Sequence, residues 1–354
     1  MAYISFQPTD NFNVISYTGT GAAQSLTGLG FQPDLVWLKR TNGTSEHILF
    51  DVNRMSDTNK GQYITTANPI STTVMVSLDS DGFSLTGTDS GNTSGEEYIA
   101  YCWKGGGVVS EDNYDGSGNP DGSAEYSTVS ANATAGISII TYDGTGGGGN
   151  KWMGHGLGKT PDWQLFKVTA GRTGDWFDWR SDVDSSKYAS NLNTANAATS
   201  WPTAWNSTDP NTTLFVVGSA DQTNEAGGKF INYCFTSIKG FSRMAHFTGN
   251  GSADGPFVYT GFRPSWVVVK NQNNASTNHY MWDKNRLGYN VDNDALYPNT
   301  TAQQQTNDEV DFLSNGFKIR NSDSGINGSG NKILYSAFAE FPLVSSNDVP
   351  TVAR

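Results

Sequence analysis

The chain has 354 residues, of which only 16% are charged, and 34 Asp and Glu against 22 Lys and Arg give a net charge of −12 at pH 7. No basic run is longer than Lys39-Arg40, which argues against nucleic acid or an anionic membrane surface as partner, since both require clustered cations. The longest apolar runs, residues 35–38 and 267–269 among them, fall far below the roughly 20 residues of a membrane-spanning helix, so no membrane insertion is expected.

A length of 354 residues exceeds what one core normally organises and predicts two or three domains. Forty glycines and 12% aromatics, ten of them Trp, are the composition of many short strands joined by tight turns. Residues 1–6 lack a basic stretch followed by an apolar run, so no secretory leader is expected. Nine Asn-x-Ser/Thr sequons, including Asn42, Asn132 and Asn250, match what so much Asn, Ser and Thr gives by composition, and they carry no argument for glycosylation.

Taken in chain order, the elements repeat three times. An aromatic strand ends in Gly-x-Gly at Tyr17-Thr18-Gly19-Thr20-Gly21, at Tyr142-Asp143-Gly144-Thr145-Gly146 and at Phe247-Thr248-Gly249-Asn250-Gly251. Next come a Pro and a β-rich run closing on Lys, from Pro33 to Lys39, Pro161 to Lys167 and Pro264 to Lys270. Then a short strand ends in an aromatic residue and Asp, at Asp51, Asp178 and Asp283, with Arg54 and Arg286 at the same offset in copies 1 and 3. An apolar strand closes each copy, at residues 98–103, 230–235 and 333–338. The runs are β-branched and aromatic, bounded by Gly, Asn, Asp or Pro, without a 3.6-residue apolar period.

The fold class expected is therefore all-β, with three tandem divergent β-sandwich domains of jelly-roll or lectin-like type. The boundaries read as copy 1 over 1–107, a Gly/Ser/Asp-rich linker over 108–134, copy 2 over 135–239, and copy 3 over 240–354 with a short C-terminal tail. The linker is expected to be the more extended junction, because copies 2 and 3 abut through residues 237–240.

The chemistry-bearing residues read mostly as structure. A Gly-x-Gly that cradles phosphate needs a helix start directly after it, and none follows, so a hairpin turn is expected there. Cys102 and Cys234 occupy equivalent strand positions and read as buried thiols. The four His are too scattered for a metal site, and His47 and His279 are repeat-equivalent. Asp51, Asp178 and Asp283 could supply the facing carboxylates of a glycosidase. Their recurrence once per copy points instead to turn bonding or pairing with Arg54 and Arg286. The acidic run 111–123 lacks the closing Glu of a calcium loop and reads as a solvated turn. Trp152, Trp201 and Trp205 lie in Gly/Asn/Ser-rich segments and are the candidates for stacking on a host surface glycan. No catalytic residue, metal site or cofactor motif emerges.

The pattern Tyr17-Thr18-Gly19-Thr20-Gly21, then His155-Gly156-Leu157-Gly158, then Pro and a strand ending in Lys, resembles the repeat of phage tail-fibre-like virion proteins of marine and cyanobacterial phages. The resemblance extends through residues 121–139 and so covers nearly the whole chain. Copy 1 reads Thr27-Gly28-Leu29-Gly30, whereas copy 3 departs furthest, with Tyr259-Thr260-Gly261-Phe262. It implies a non-enzymatic component of the virion surface, tail-associated and contributing to host attachment, with other virion proteins as partners. A homotrimer is the usual fibre assembly. The lack of a heptad shaft keeps a head decoration protein open as an alternative, and the Trp-rich loops with the repeat-equivalent Asp residues keep open a lectin or depolymerase.

Overall fold

The computed structural model describes residues 6–56, 61–68, 75–87, 90–110, 126–147, 151–183, 188–286, 290 and 292–341. It is all-β, with 47% strand and 5% helix.

Three main sheets share one strand order. In copy 1, β1 (Phe12–Thr18), β2 (Leu35–Arg40), β3 (His47–Asp51) and β4 (Glu97–Trp103) run β1-β4-β2-β3. In copy 2, β5 (Ile137–Asp143), β6 (Trp163–Ala170), β7 (Phe177–Arg180) and β8 (Lys229–Phe235) run β5-β8-β6-β7. In copy 3, β9 (Ser242–Thr248), β10 (Arg263–Asn271), β11 (His279–Asp283) and β12 (Lys332–Phe341) run β9-β12-β10-β11. Register repeats as well. Tyr17, Tyr142 and Phe247 face Tyr98, Phe230 and Ile333, and the last inward aromatics Trp103, Phe235 and Phe338 face Phe12, Ile137 and Ser242.

The inner strands of each main sheet are buried on both faces, which is why they read as nearly unbroken apolar runs, whereas the edge strands β1 and β9 alternate. On β4, Tyr98, Ala100 and Cys102 face outward onto a smaller sheet containing Leu26, Met75, Phe83 and Leu85, while Ile99, Tyr101 and Trp103 face inward. On β8, Phe230 and Cys234 pack outward with Phe215 and Val217, while Ile231, Tyr233 and Phe235 face inward. The inward faces of all three copies form one core. At its centre Trp103, Phe235 and Phe338 touch pairwise, with ring centroids 5.6–6.2 Å apart. The copies thus surround an approximate threefold axis.

Two expectations change. Residues 108–134 are not simply a linker, because Val108–Ser110 and Tyr126–Asn132 add two strands to the β5 edge of copy 2. Backbone pairing of the Thr128-Val129-Ser130 run explains this, as β-branched residues favour the pleated edge. Nor is Gly-x-Gly a hairpin turn. It bends the chain out of the main sheet and docks on the loop before the closing strand. A Cβ on Gly19, Gly144 or Gly249 would strike the carbonyl of Thr93, Glu225 or Gly328, and Gly21, Gly146 and Gly251 have φ of 63–70°. One buried Asn per copy receives the turn. Asn92, Asn224 and Asn327 accept on Oδ1 from the amide of Thr20, Thr145 and Asn250 at 2.8–3.0 Å, and on the main-chain carbonyl from Gly21, Gly146 and Gly251.

Candidate functional site

The repeated polar residues converge where one copy meets the next. Asp51 ends β3, and its Oδ2 accepts from Arg54 Nε at 2.7 Å and from the Tyr233 hydroxyl of copy 2 at 2.9 Å. Arg54 is completed by Gln62 Oε1 at 2.9 Å and the Tyr233 oxygen at 3.1 Å. Asp283 ends β11 and pairs with Arg286 Nε at 2.7 Å, and its Oδ2 accepts from the Tyr101 hydroxyl of copy 1 at 2.8 Å. In copy 2, Asp178 accepts from Arg180 Nε at 2.7 Å and from Trp163 Nε1 at 2.8 Å, and Arg180 reaches the hydroxyl of Ser336 in copy 3. Tyr101, Tyr233 and Ser336 are register-equivalent. The contacts therefore run from copy 2 to 1, from 3 to 2 and from 1 to 3, and the ring closes on itself.

Copy 2 builds its centre differently. Leu35 faces Asp51 and Trp266 faces Asp283, but the equivalent Trp163 faces Arg180, and Asp178 stands opposite Leu165. Asp178 is thus two positions earlier on the same face, and its arginine follows at two residues rather than three. The guanidinium lies 4.2 Å over the Trp163 ring, a contact that helps a buried arginine. Trp176 takes the position that His47 and His279 hold in the other copies.

The repeated lysines clamp the same junctions through main-chain carbonyls. Lys39 Nζ donates to Ser45 O and to Thr301 O of copy 3, Lys167 Nζ to Gly174 O and to Thr66 O and Ala67 O of copy 1, and Lys270 Nζ to Thr277 O and to Ala195 O of copy 2. Burial pulls Lys39 and Lys167 down to about 7 and Lys270 to about 8. Burial alone would raise the Asp178 carboxyl, but the Arg180 guanidinium and His279 reverse this and hold it at about 2. Each carboxylate is at most 1% exposed, and with their acceptor oxygens filled these groups act as buried structural pairs.

The aromatic glycan candidates are not gathered into a platform. Trp205 is a core residue at 2% exposure, packed on Phe166 and Phe177. Trp152 and Trp201 are partly buried against the same core, Trp201 standing edge-on to Phe177. Their Gly/Asn/Ser-rich surroundings hide this, because the segment folds inward under the sheet. The landmarks Pro33 and Pro264 are buried at the strand entries, and Pro161 is buried beside β6. Cys102 and Cys234 are free, buried thiols. The acidic run 111–123 lies outside the described residues.

Among the described residues, copy 3 exposes two large aromatic side chains. Its outer edge strand Phe257–Tyr259 exposes Phe257 at 46% and Tyr259 at 52%, where the register-equivalent strand of copy 1 has Ser25 and Thr27. Beside it a cleft of about 510 Å³ opens between copies 2 and 3, lined by Asp162, Lys239, Arg243 and Tyr259. Tyr259 belongs to the segment where copy 3 departs from the other copies' Gly-Leu-Gly.

Sequence reasoning missed Arg180, the three register-equivalent hydroxyls and the turn-receiving asparagines. The recurrence of Tyr101-Cys102-Trp103 as Tyr233-Cys234-Phe235 was a signal for two of the hydroxyls. No curated protein and no solved structure matches the chain. One family model spans all three copies: the match covers residues 7–342, and the chain belongs to that family, described as a domain of unknown function (DUF7483).

Proposed function

We propose that this chain is a non-enzymatic structural protein of a bacteriophage virion, displayed at the particle surface. The observation that carries the reading is the use made of the repeated polar residues. Asp51, Asp178 and Asp283, the carboxylates best suited to hydrolytic chemistry, are buried and bonded to Arg54, Arg180 and Arg286 at the joints between copies. The resemblance carried by Tyr17–Gly21 and His155–Gly158 supports assignment to a virion.

Within the particle, the resemblance to tail-fibre-like proteins favours a tail-associated fibre or receptor-binding component. Cyclic closure supports a second reading, a head decoration protein. A chain whose three copies already satisfy one another's buried groups needs no two further chains, and it fits as a single body on a threefold-symmetric site. A glycan-binding role draws less support from a Trp205 that is wholly inside.

Localisation on intact particles by cryo-electron microscopy tests both readings, with light scattering of the purified chain beside it. Density on the shell and a mass of 38.1 kDa are the results expected of the decoration protein; density on the tail and a threefold mass are those expected of a fibre. Absence of the chain from purified particles overturns the virion assignment, and reducing ends released from host polysaccharide overturn the non-enzymatic one.

A further inference from the structure

The three joints of the ring are not equally filled. Between copies 1 and 2, Asn53 ties two strands together, its Nδ2 donating to Ile139 O of β5 at 3.0 Å and to Thr128 O of the added strand at 3.4 Å. Asn285 follows Asp283 by the same two residues as Asn53 follows Asp51, and its Nδ2 donates to Val14 O of β1 at 2.8 Å. Val14 faces Tyr101 as Ile139 faces Tyr233, so the two carbonyls are equivalent. Asn285 Nδ2 has no second acceptor among the described residues.

The reason is that β1 is an edge strand, with no described strand where Tyr126–Asn132 lies on β5. A cleft of about 390 Å³ borders that edge, lined by Ser16, Thr18, Thr41, Glu97, Asn285 and Gln304 among others. The corresponding edge of β9 is closed differently: Ile238 bridges Ser242, and Asp182, at the position of the asparagines, pairs with His246 at 3.1 Å.

The sequence after copy 3 supplies the missing piece. Five to seven residues beyond the equivalent aromatics Trp103 and Phe338 stand Val108-Val109-Ser110 and Leu343-Val344-Ser345. In copy 1 this exit segment is the strand that pairs with Val129 and its neighbours, in the run Thr128-Val129-Ser130-Ala131. After copy 3 a comparable run, Thr351-Val352-Ala353, follows within a few residues. Those residues lie outside the described part of the structure. We propose that residues 342–354 add to the free edge of β1 in the same chain, as Tyr126–Asn132 adds to β5, and place a main-chain carbonyl on the second hydrogen of Asn285 Nδ2. Strand addition suits such an edge because it pairs main-chain groups otherwise left to water.

Hydrogen exchange resolved to single amides tests this on the full chain. Val14 turns its carbonyl away from β4, so Ser16 and Thr18, two and four residues on, present their amides to the same open edge. In the full chain these two amides exchange slowly, and truncation after Phe341 speeds them by about tenfold or more. If the truncated chain does not fold, Ser16→Pro serves instead: it removes an edge donor without cutting the β1-β4 ladder, and it accelerates exchange at Val344 and Val352. Rates at Ser16 and Thr18 unaffected by truncation, or rates at Val344 and Val352 unaffected by Ser16→Pro, overturn the proposal. Protection that vanishes on dilution also overturns it, assigning the strand to a second copy of the chain.

Discussion

Asp51 and Arg54 are three residues apart, yet the pair is finished by a hydroxyl 182 positions from Asp51. A buried ion pair of this kind is sensitive to losing one member, because the other charge remains in low dielectric. Asp51→Ala is expected to destabilise the protein by about 3–5 kcal/mol in urea unfolding, whereas Tyr233→Phe, which removes one hydrogen bond, costs about 1–2 kcal/mol. Acid acts on the same joints through histidine. Burial holds His279 down to about 4, with the Asp178 carboxylate opposing and Lys270 and Arg180 reinforcing the shift, and burial holds His47 low as well. An unfolded imidazole titrates near 6.5, so the native state binds fewer protons between pH 6.5 and 4. The stability from His279 is complete above that window and is lost through it, by about 3 kcal/mol. Glu309 works the other way: burial raises it to about 8, so its contribution fades as pH climbs from about 4.5. The change in unfolding free energy on going from pH 4.5 to 7 should therefore be less positive in His279→Gln than in the parent, by about 3 kcal/mol.

Among the elements, the Gly-x-Gly bend separates two demands on glycine. Gly144→Ala drives a Cβ into the Glu225 carbonyl and is expected to cost more than 2 kcal/mol. Gly147→Ala, with φ of 84° and open space around it, is expected to cost about 1 kcal/mol, the penalty of a left-handed backbone alone. Thermal unfolding of both variants checks the difference. Main-sheet strands were legible because double burial writes them as apolar runs, and the Lys that closes each run was legible because its position recurs. The receiving asparagines recur just as regularly, Asn92, Asn224 and Asn327 each standing six residues before Tyr98, Phe230 and Ile333 and three before a Gly, but the turn that each one receives is distant in sequence and shows only in the fold. Asp178 misled by two positions because an aromatic residue precedes it just as one precedes Asp51, and only pairing with Leu165 rather than Trp163 reveals the shift. Residues 126–132 read as a linker because a strand of mostly Ser, Thr, Ala and Asn, paired with β5 on one side and with Val108–Ser110 on the other, leaves little apolar period in the sequence.

At the scale of the molecule, the inward faces of three sheets share one core, so no copy keeps its main sheet covered alone. Phe338 touches Trp103 and Phe235 from the other two copies, and Phe338→Ala is expected to cost about 3–5 kcal/mol while loosening every joint at once. Calorimetry should then show one cooperative transition, with calorimetric and van't Hoff enthalpies in agreement, rather than three. Expressed alone, residues 126–239 should bind a hydrophobic dye and lack a sharp transition, because Tyr233 and Phe235 would face water.

Three copies in one polypeptide also free each from the others' mutations. A ring of identical chains repeats every surface change three times, whereas here Phe257 and Tyr259 stand exposed once, beside one cleft. Within one chain, the pair thus marks a single position on an architecture that is otherwise threefold, and gives it a defined rotational setting about its own axis.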